Sequence, residues 1–143
     1  MLIAPILLLT DAPSEAAQAI IDAGLADYNE EQAGYRDACD LAVLVTDPGD
    51  GRVLGGLLGR TSLGLLFVDL FYLPSDVRRA GVGGRMLRMA EEEALRRGCI
   101  SAVLFTISFQ APEFYARHGW QEIGRVPCLP AGTSRVVMTK QLA

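Results

Sequence analysis

The strongest constraint on the fold of this 143-residue chain is an amphipathic helix, predicted over Gly81–Arg97, that lies between two apolar strand-like runs. Apolar side chains recur along it at intervals of four residues, and Glu92–Arg96 and Glu93–Arg97 are ion pairs in the favourable order. Gly98 predicts a left-handed cap that ends the helix. Because a strand, a helix and a second strand form a crossover, we expect the two strands to be parallel neighbours.

Shorter patterns extend this unit in both directions. The run from Leu41, the turn Asp47–Gly51 and the run after it predict an antiparallel hairpin, which a third strand follows directly. A short helix and two closing strands follow the crossover. We interpret residues 1–10 as a first strand, followed by a helix to about Asp27 and by a short helix or loop over Tyr28–Asp40. The predicted fold is α/β (α+β), a mixed, mostly antiparallel sheet of about seven strands flanked by about four helices.

Composition narrows the class of protein. A chain of 143 residues, half of them apolar, suits one domain over residues 1–143. The three cysteines stand far apart and His118 is the single histidine, so we expect neither a disulfide framework nor a metal site. No apolar run reaches the ~20 residues of a membrane span, and the opening run lacks the basic residues of a leader. We therefore expect a cytoplasmic protein without a membrane or nucleic-acid partner.

Charge is divided unevenly along the chain. Residues 1–50 carry ten acidic side chains and one basic side chain, Arg36, whereas residues 51–143 carry twelve basic and seven acidic ones. An enzyme that holds an anionic and a cationic substrate in different parts would need such a division. A merely soluble acidic surface explains it equally well.

The turn before the main helix has the composition of an anion site. Three glycines, Gly81, Gly83 and Gly84, remove side chains from the first helical turn, so unpaired N–H groups and the positive end of the helix dipole can approach a diphosphate. Arg78 and Arg79 add forked donors for phosphate oxygens. No Lys-Ser or Lys-Thr follows the glycines as a P-loop requires, which disfavours a nucleotide-binding domain. A turn that only lets helix and strand pack closely is the simpler alternative.

Two blocks of the sequence together resemble the GNAT superfamily of acetyl-CoA-dependent N-acetyltransferases. Arg78-x-x-Gly81-x-Gly83 is similar to the pyrophosphate loop of that family. Ser108-x-x-Ala111-x-x-Phe114-Tyr115-x-x-x-Gly119-Trp120 is similar to its N-x-x-A-x-x-[FL]-Y-x-x-x-G-[FW] block. The resemblance implies direct transfer of an acetyl group from acetyl-CoA, as a co-substrate and without a metal, to a primary amine of a small molecule or peptide. It leaves open a homodimer, a transferase of longer acyl groups, and a non-catalytic acyl-CoA sensor.

The same resemblance implies roles for individual residues. Tyr115 would donate a proton to the leaving thiolate, and backbone N–H groups near a strand bulge around Phe71 to Leu73 would hold the acetyl carbonyl. Ser108 takes the place of the family's asparagine. The implied CoA-binding set is Phe71, Tyr72, Leu73, Arg78, Arg79, Ala80, Gly81, Val82, Gly83, Gly84 and Ser108.

Residues outside these blocks are candidates for the general base and for contacts with the acceptor. Asp69 interrupts an apolar run, so its carboxylate is expected either to be hydrogen-bonded within the fold or to face the cleft as a base. His118, near a helix C-terminus, is expected to be exposed and is a weaker candidate. The candidate contacts for a cationic acceptor are Tyr28, Glu30 and Glu31, on a polar, acidic segment.

Overall fold

A computed structural model describes residues 4–78 and 80–143, and the chain divides into two compact units, residues 1–36 and 37–143. The first unit contains one α-helix, α1 (Glu15–Ala33). The Ser14 hydroxyl accepts a hydrogen bond from the Ala17 N–H at 3.1 Å and caps the helix, and Gly34 ends it at φ +90°. That the whole of residues 1–143 forms a single domain stays a prediction.

Two features of the first unit differ from the sequence-based prediction. α1 continues to Ala33 through the segment predicted as a second helix or loop, since no glycine or proline lies between Tyr28 and Gly34. The prediction of a strand over residues 1–10 is wrong for its described part: residues 4–10 form no strand, and Ile6–Leu9 are exposed. An apolar run is not enough for a strand, which also needs a neighbour for its backbone hydrogen bonds.

The second unit contains a six-stranded sheet in the order β1-β2-β3-β4-β6-β5. Its strands are β1 (Cys39–Thr46), β2 (Val53–Ser62), β3 (Leu65–Tyr72), β4 (Ser101–Ile107), β5 (Gln121–Cys128) and β6 (Thr133–Gln141). Its α-helices are α2 (Val82–Arg96) and α3 (Pro112–Arg117), and a 3-10 turn spans Ser75–Val77. The predicted fold class is confirmed, with six strands and three α-helices in the described residues instead of about seven and four.

The central crossover has the predicted geometry. β3 and β4 are parallel and joined through α2, whereas every other neighbouring pair in the sheet is antiparallel. Gly98 ends the helix region at φ +89°, as predicted. The Glu93–Arg97 ion pair forms at 2.7 Å, but Arg96 pairs with Glu93 at 2.5 Å instead of Glu92, because the i+3 and i+4 guanidinium groups reach the same carboxylate.

The core of the second unit lies between one face of the sheet and the two helices. α2 packs across β1, β2 and β3, and α3 packs against β5. The largest fully buried side chains are Leu57, Leu66, Leu87 and Val136. Among the described residues, no helix combines the length and apolarity needed to cross a membrane.

Candidate active site

The N-terminus of α2 presents backbone amides at an open tip. Gly81 is the N-cap, in the left-handed region at φ +71°, and Ala80 before it is also left-handed at φ +63°. The N–H of Arg85 donates to the Gly81 carbonyl at 3.1 Å, so the amides of Val82, Gly83 and Gly84 precede the hydrogen-bonded ladder. A Cβ at Gly81 would meet no atom of the described residues within 4 Å. The tip is therefore unobstructed at Gly81, and its use as an anion site stays a prediction.

Two arginines, Arg78 and Arg79, precede the tip. Arg78 is exposed, and its Nε donates to the Leu73 carbonyl at 2.8 Å. This bond uses one of its five N–H donors and ties the guanidinium to the end of the β3 segment. Arg79 lies outside the described residues, so its predicted phosphate contact stays a prediction.

Gly83 and Gly84 also permit a close contact between α2 and α3, which the sequence did not predict. A Cβ at Gly83 would lie 2.9 Å from Phe114 Cζ, and one at Gly84 would lie 2.5 Å from His118 Cε1. The rings of Phe114 and His118 are themselves in contact, with centroids 4.9 Å apart. His118 is therefore half-buried against α2 rather than exposed, which corrects the prediction from its position near a helix end. These two glycines let α3 lie directly on the first turn of α2.

This packing predicts a specific coupling. Gly84→Ala is expected to lower the free energy of unfolding by about 1–2 kcal/mol, because the new methyl group must displace the His118 ring. In a His118→Ala background the same substitution should cost nothing, since alanine is the better helix former. Urea unfolding of the wild type, both single variants and the double variant measures the coupling. Additive effects of the two substitutions would contradict this contact.

The sheet splays apart beside this tip. Pairing between β3 and β4 ends at Val68 and Leu104, although β3 continues to Tyr72 and β4 to Ile107. In the pairing of β3 with β2, the register shifts so that Asp69 is the extra residue. The bulge thus lies two residues before the segment Phe71–Leu73 near which it was expected, and the role of the amides of that segment stays a prediction. Beyond that point, no strand of the described residues pairs with the last residues of β3, including Phe71 and Tyr72, on the side of β4.

Tyr115 is buried beside the splayed end of β3. Its ring meets Phe71 edge-on at a centroid distance of 6.1 Å and Trp120 at 6.2 Å. The helix that carries Tyr115 is the one that packs on the first turn of α2. Burial raises the pKa of the Tyr115 phenol to about 12. The phenol is therefore neutral, and able to donate a proton, throughout the physiological range.

The raised pKa also links stability to pH. The unfolded chain loses this phenolic proton near pH 10 and the folded chain near pH 12, so the neutral form favours folding. The stability contributed by Tyr115 is fully present below pH 10, falls between pH 10 and pH 12, and is on the order of 2 kcal/mol. Urea unfolding across this window should show a steeper loss for the wild type than for Tyr115→Phe. Parallel curves would contradict the raised pKa.

Asp69 has a partner within the fold. Arg60 Nη1 contacts its two carboxylate oxygens at 3.0 and 3.1 Å, and the Arg60 guanidinium lies 4.1 Å from the Phe67 ring centroid. Both side chains of the pair are about half exposed. Of the two expectations for Asp69, the structure contains the hydrogen-bonded one; exposure also leaves the carboxylate accessible to solvent. Its role as a base stays a prediction.

Ser108 bonds to the neighbouring strand segment. Its Oγ accepts from the Ser134 N–H at 3.0 Å, and its own N–H donates to the Ser134 carbonyl at 2.8 Å. These bonds join the end of β4 to the start of β6. The hydroxyl proton is not used in them, so a CoA contact through this donor stays a prediction.

The predicted acceptor residues lie in the first unit. Tyr28, Glu30 and Glu31 are exposed on α1. Glu30 is 3.0 Å from Arg36, which also bonds Asp27 at 2.5 Å. Arg36 therefore neutralises part of this acidic segment, and its use as a site for a cation stays a prediction.

Comparison with known proteins identifies the family. The family model described as the acetyltransferase (GNAT) family matches residues 10–120. The chain belongs to the GNAT acetyltransferase family. It is 38% identical to an acetyltransferase of Agrobacterium fabrum over 130 residues, 91% of this chain and 93% of the relative. It is 37% identical to a blasticidin-S acetyltransferase of Streptomyces morookaense over 93 residues, 64% of this chain and 68% of the relative.

The fold agrees with this membership. A solved structure from Agrobacterium tumefaciens, assigned to the acetyltransferases, superposes with a TM-score of 0.87 at 34% identity, covering 96% of this chain and 99% of that one. The predictions of a GNAT fold and of an acetyl-CoA-dependent acetyltransferase are thereby confirmed.

Proposed function

We propose that the GNAT acetyltransferase described here is an N-acetyltransferase that moves the acetyl group of acetyl-CoA directly to a primary amine. The observation that carries the proposal is the position of Tyr115. Its buried phenol lies against Phe71, where β3 parts from β4, on a helix packed against the open amide tip of α2. A proton donor, a splayed strand end and an anion-binding helix terminus are what thioester aminolysis requires.

The reaction would use these groups in sequence. The diphosphate of acetyl-CoA binds the amides at the tip of α2, with Arg78 beside them. The neutral amine attacks the thioester carbonyl, and backbone amides at the splayed end of β3 stabilise the oxyanion. The new C–N bond forms, the C–S bond breaks, and Tyr115 donates its proton to the leaving sulfur. The amine loses its proton to Asp69 through water, and the phenol is reprotonated from solvent.

The acceptor we propose is a cationic small-molecule amine. One relative at 37% identity is a blasticidin-S acetyltransferase, whose name specifies a small-molecule acceptor. The acidic residues of α1, Glu30 and Glu31 among them, suit a cation. We further propose that the enzyme acts in the cytoplasm, where acetyl-CoA is available, as a monomer or homodimer.

The direct test is release of free thiol from acetyl-CoA across a panel of amines that includes blasticidin S, an aminoglycoside, a polyamine, an amino acid and a peptide. Turnover that depends on one class of amine, with N-acetylated product identified by mass spectrometry, is the expected result. A reaction without amine measures background hydrolysis. CoA binding without turnover on any amine would favour an acyl-CoA sensor, and faster turnover of longer acyl-CoA thioesters would favour a broader acyltransferase.

Asp69 can be tested against its ion pair. Asp69→Asn removes both the carboxylate and its ion pair with Arg60. Arg60→Gln removes the same ion pair but leaves the Asp69 carboxylate in place. If Asp69 acts as the base, Asp69→Asn should lower kcat roughly tenfold, because water can partly replace a relayed base. Arg60→Gln should keep the kcat of the wild type. The exposed pair itself is worth under about 1 kcal/mol. Equal activity of the two variants would assign Asp69 to structure alone.

A further inference from the structure

A buried polar cluster connects β6 to α2 below the helix that carries Tyr115. Lys140 Nζ donates to Glu91 Oε1 at 2.6 Å and to the His118 carbonyl at 2.8 Å. Trp120 Nε1 donates to Glu91 Oε2 at 3.3 Å. Glu91 is 8% exposed and Trp120 is 2% exposed, whereas the Lys140 side chain is 26% exposed, so the contact between Glu91 and Trp120 is shielded from water and those of Lys140 are partly shielded. Removal of either Glu91 or Lys140 would therefore leave the other charge without its partner and destabilise the fold.

Two of these bonds hold the residues that directly follow α3. His118 is its C-cap, and Trp120 stands two residues further along. The N–H groups of His118 and Trp120 both donate to the Tyr115 carbonyl, at 3.0 and 3.1 Å. The cluster thus reaches the backbone of Tyr115 through one intervening hydrogen bond on each side.

α3 depends on such external contacts. It has six residues, and its N-cap Ala111 makes no side-chain hydrogen bond. A helix of this length is not stable by itself. It is held at its N-terminal half by the packing of Phe114 on Gly83 and at its C-terminal end by the cluster. Both contacts lead to α2, the helix whose N-terminus is the open tip.

We propose that Lys140 and Glu91 are positioning residues for acetyl transfer, which hold Tyr115 at a fixed distance from the tip of α2. This rests on the proposed role of Tyr115 as the proton donor. Proton transfer requires hydrogen-bond reach to the leaving sulfur, and a displacement of about 1 Å can cost on the order of 100-fold in rate. The cluster leaves the amides of the tip untouched, so it should affect the chemical step and not the binding of acetyl-CoA.

The test separates kcat from KM in variants of Lys140. Lys140→Met keeps the aliphatic stem and removes the ammonium group, and it should lower kcat roughly 10- to 100-fold with the KM for acetyl-CoA changed by less than about twofold. Lys140→Arg retains a cation that can donate to both acceptors, and it should recover most of the loss. All rates are measured at a temperature at which circular dichroism shows each variant fully folded.

A second variant covers the case in which Lys140→Met does not fold because Glu91 is left unpaired. The double variant Glu91→Met/Lys140→Met removes both charges, a replacement that buried ion pairs often tolerate. It should be folded and still slow, because its side chains cannot bond the His118 carbonyl or Trp120. Glu93→Gln is the matched control: it breaks the two ion pairs with Arg96 and Arg97 at the other end of the same helix and should keep wild-type kcat.

The outcomes distinguish this inference from the proposed function. A wild-type enzyme that acetylates no amine would reject the proposed function, and this inference with it. An active wild type whose folded Lys140→Met or double variant retains kcat within about twofold would overturn the positioning role alone. A rise in the KM for acetyl-CoA as large as the fall in kcat would also overturn the positioning role, because the binding of acetyl-CoA at the tip of α2 would then be disturbed.

Discussion

Tyr115→Phe is expected to lower the kcat of acetyl transfer by about 10³-fold, within the range that one general acid contributes, while the KM for acetyl-CoA stays unchanged. Phenylalanine keeps the ring contacts with Phe71 and Trp120 and removes only the hydroxyl. The buried phenol, with a pKa of about 12, is replaced by a group that has no proton to donate. Steady-state thiol release over a range of acetyl-CoA concentrations measures both constants.

Leaving-group chemistry and a matched tyrosine sharpen this test. A thioester whose thiol has a lower pKa needs less help from an acid, so the defect of Tyr115→Phe should shrink with such a donor. Tyr35→Phe removes an exposed phenol that is not among the residues proposed to contact acetyl-CoA or the acceptor, and it is the control that should behave as wild type. A Tyr115→Phe enzyme with wild-type kcat would remove the phenol from the mechanism.

Gly81→Val is expected to weaken CoA binding by about 100-fold, the equivalent of losing one or two hydrogen bonds to a charged group. Gly81 is left-handed at φ +71°, and the described part of the chain has no atom within 4 Å of an added Cβ there, so valine both strains the tip and places a branched side chain beside its amides. Isothermal titration with CoA measures the affinity. Titration with pantetheine, the arm of CoA without the diphosphate, should show little difference in affinity between the wild type and Gly81→Val.

The other end of the same helix supplies the control. Gly98 follows α2, is also left-handed at φ +89°, and likewise has no atom within 4 Å of an added Cβ. Gly98→Val should therefore cost a similar 1–2 kcal/mol of backbone strain and leave CoA affinity unchanged. If both substitutions weakened the affinity for CoA equally, the loss would come from lower stability of the protein and not from a blocked anion site.

Local patterns account for the parts of the fold that sequence predicted well. The helical period of α2, the cap at Gly98 and the turn between β1 and β2 depend on residues close together in the chain. The prediction of a first strand failed because strand formation is not a local property. Residues 4–10 have an apolar composition, but a strand also needs a pairing partner, which can be distant in the sequence. The extent of α1 was missed because polar residues such as Glu30 give no strong period even in a good helix.

The candidate site divides in the same way. Composition and order identified the open tip at Gly81 and the tyrosine at position 115, since glycines before a helix and a strand–helix–strand arrangement carry that information themselves. The bulge at Asp69 and its ion pair with Arg60 depend on strand register, which a single sequence does not specify.

By itself, the sequence determined the crossover, the glycine-rich start of α2 and the family, because each follows from the order of residue types along the chain. Only the tertiary structure decided that His118 lies on Gly84, that Lys140 joins Glu91 to the end of α3, and that burial raises the pKa of Tyr115. These contacts join residues from separate elements, and their energies depend on distance and on exclusion of water. Neither quantity exists until the elements have packed.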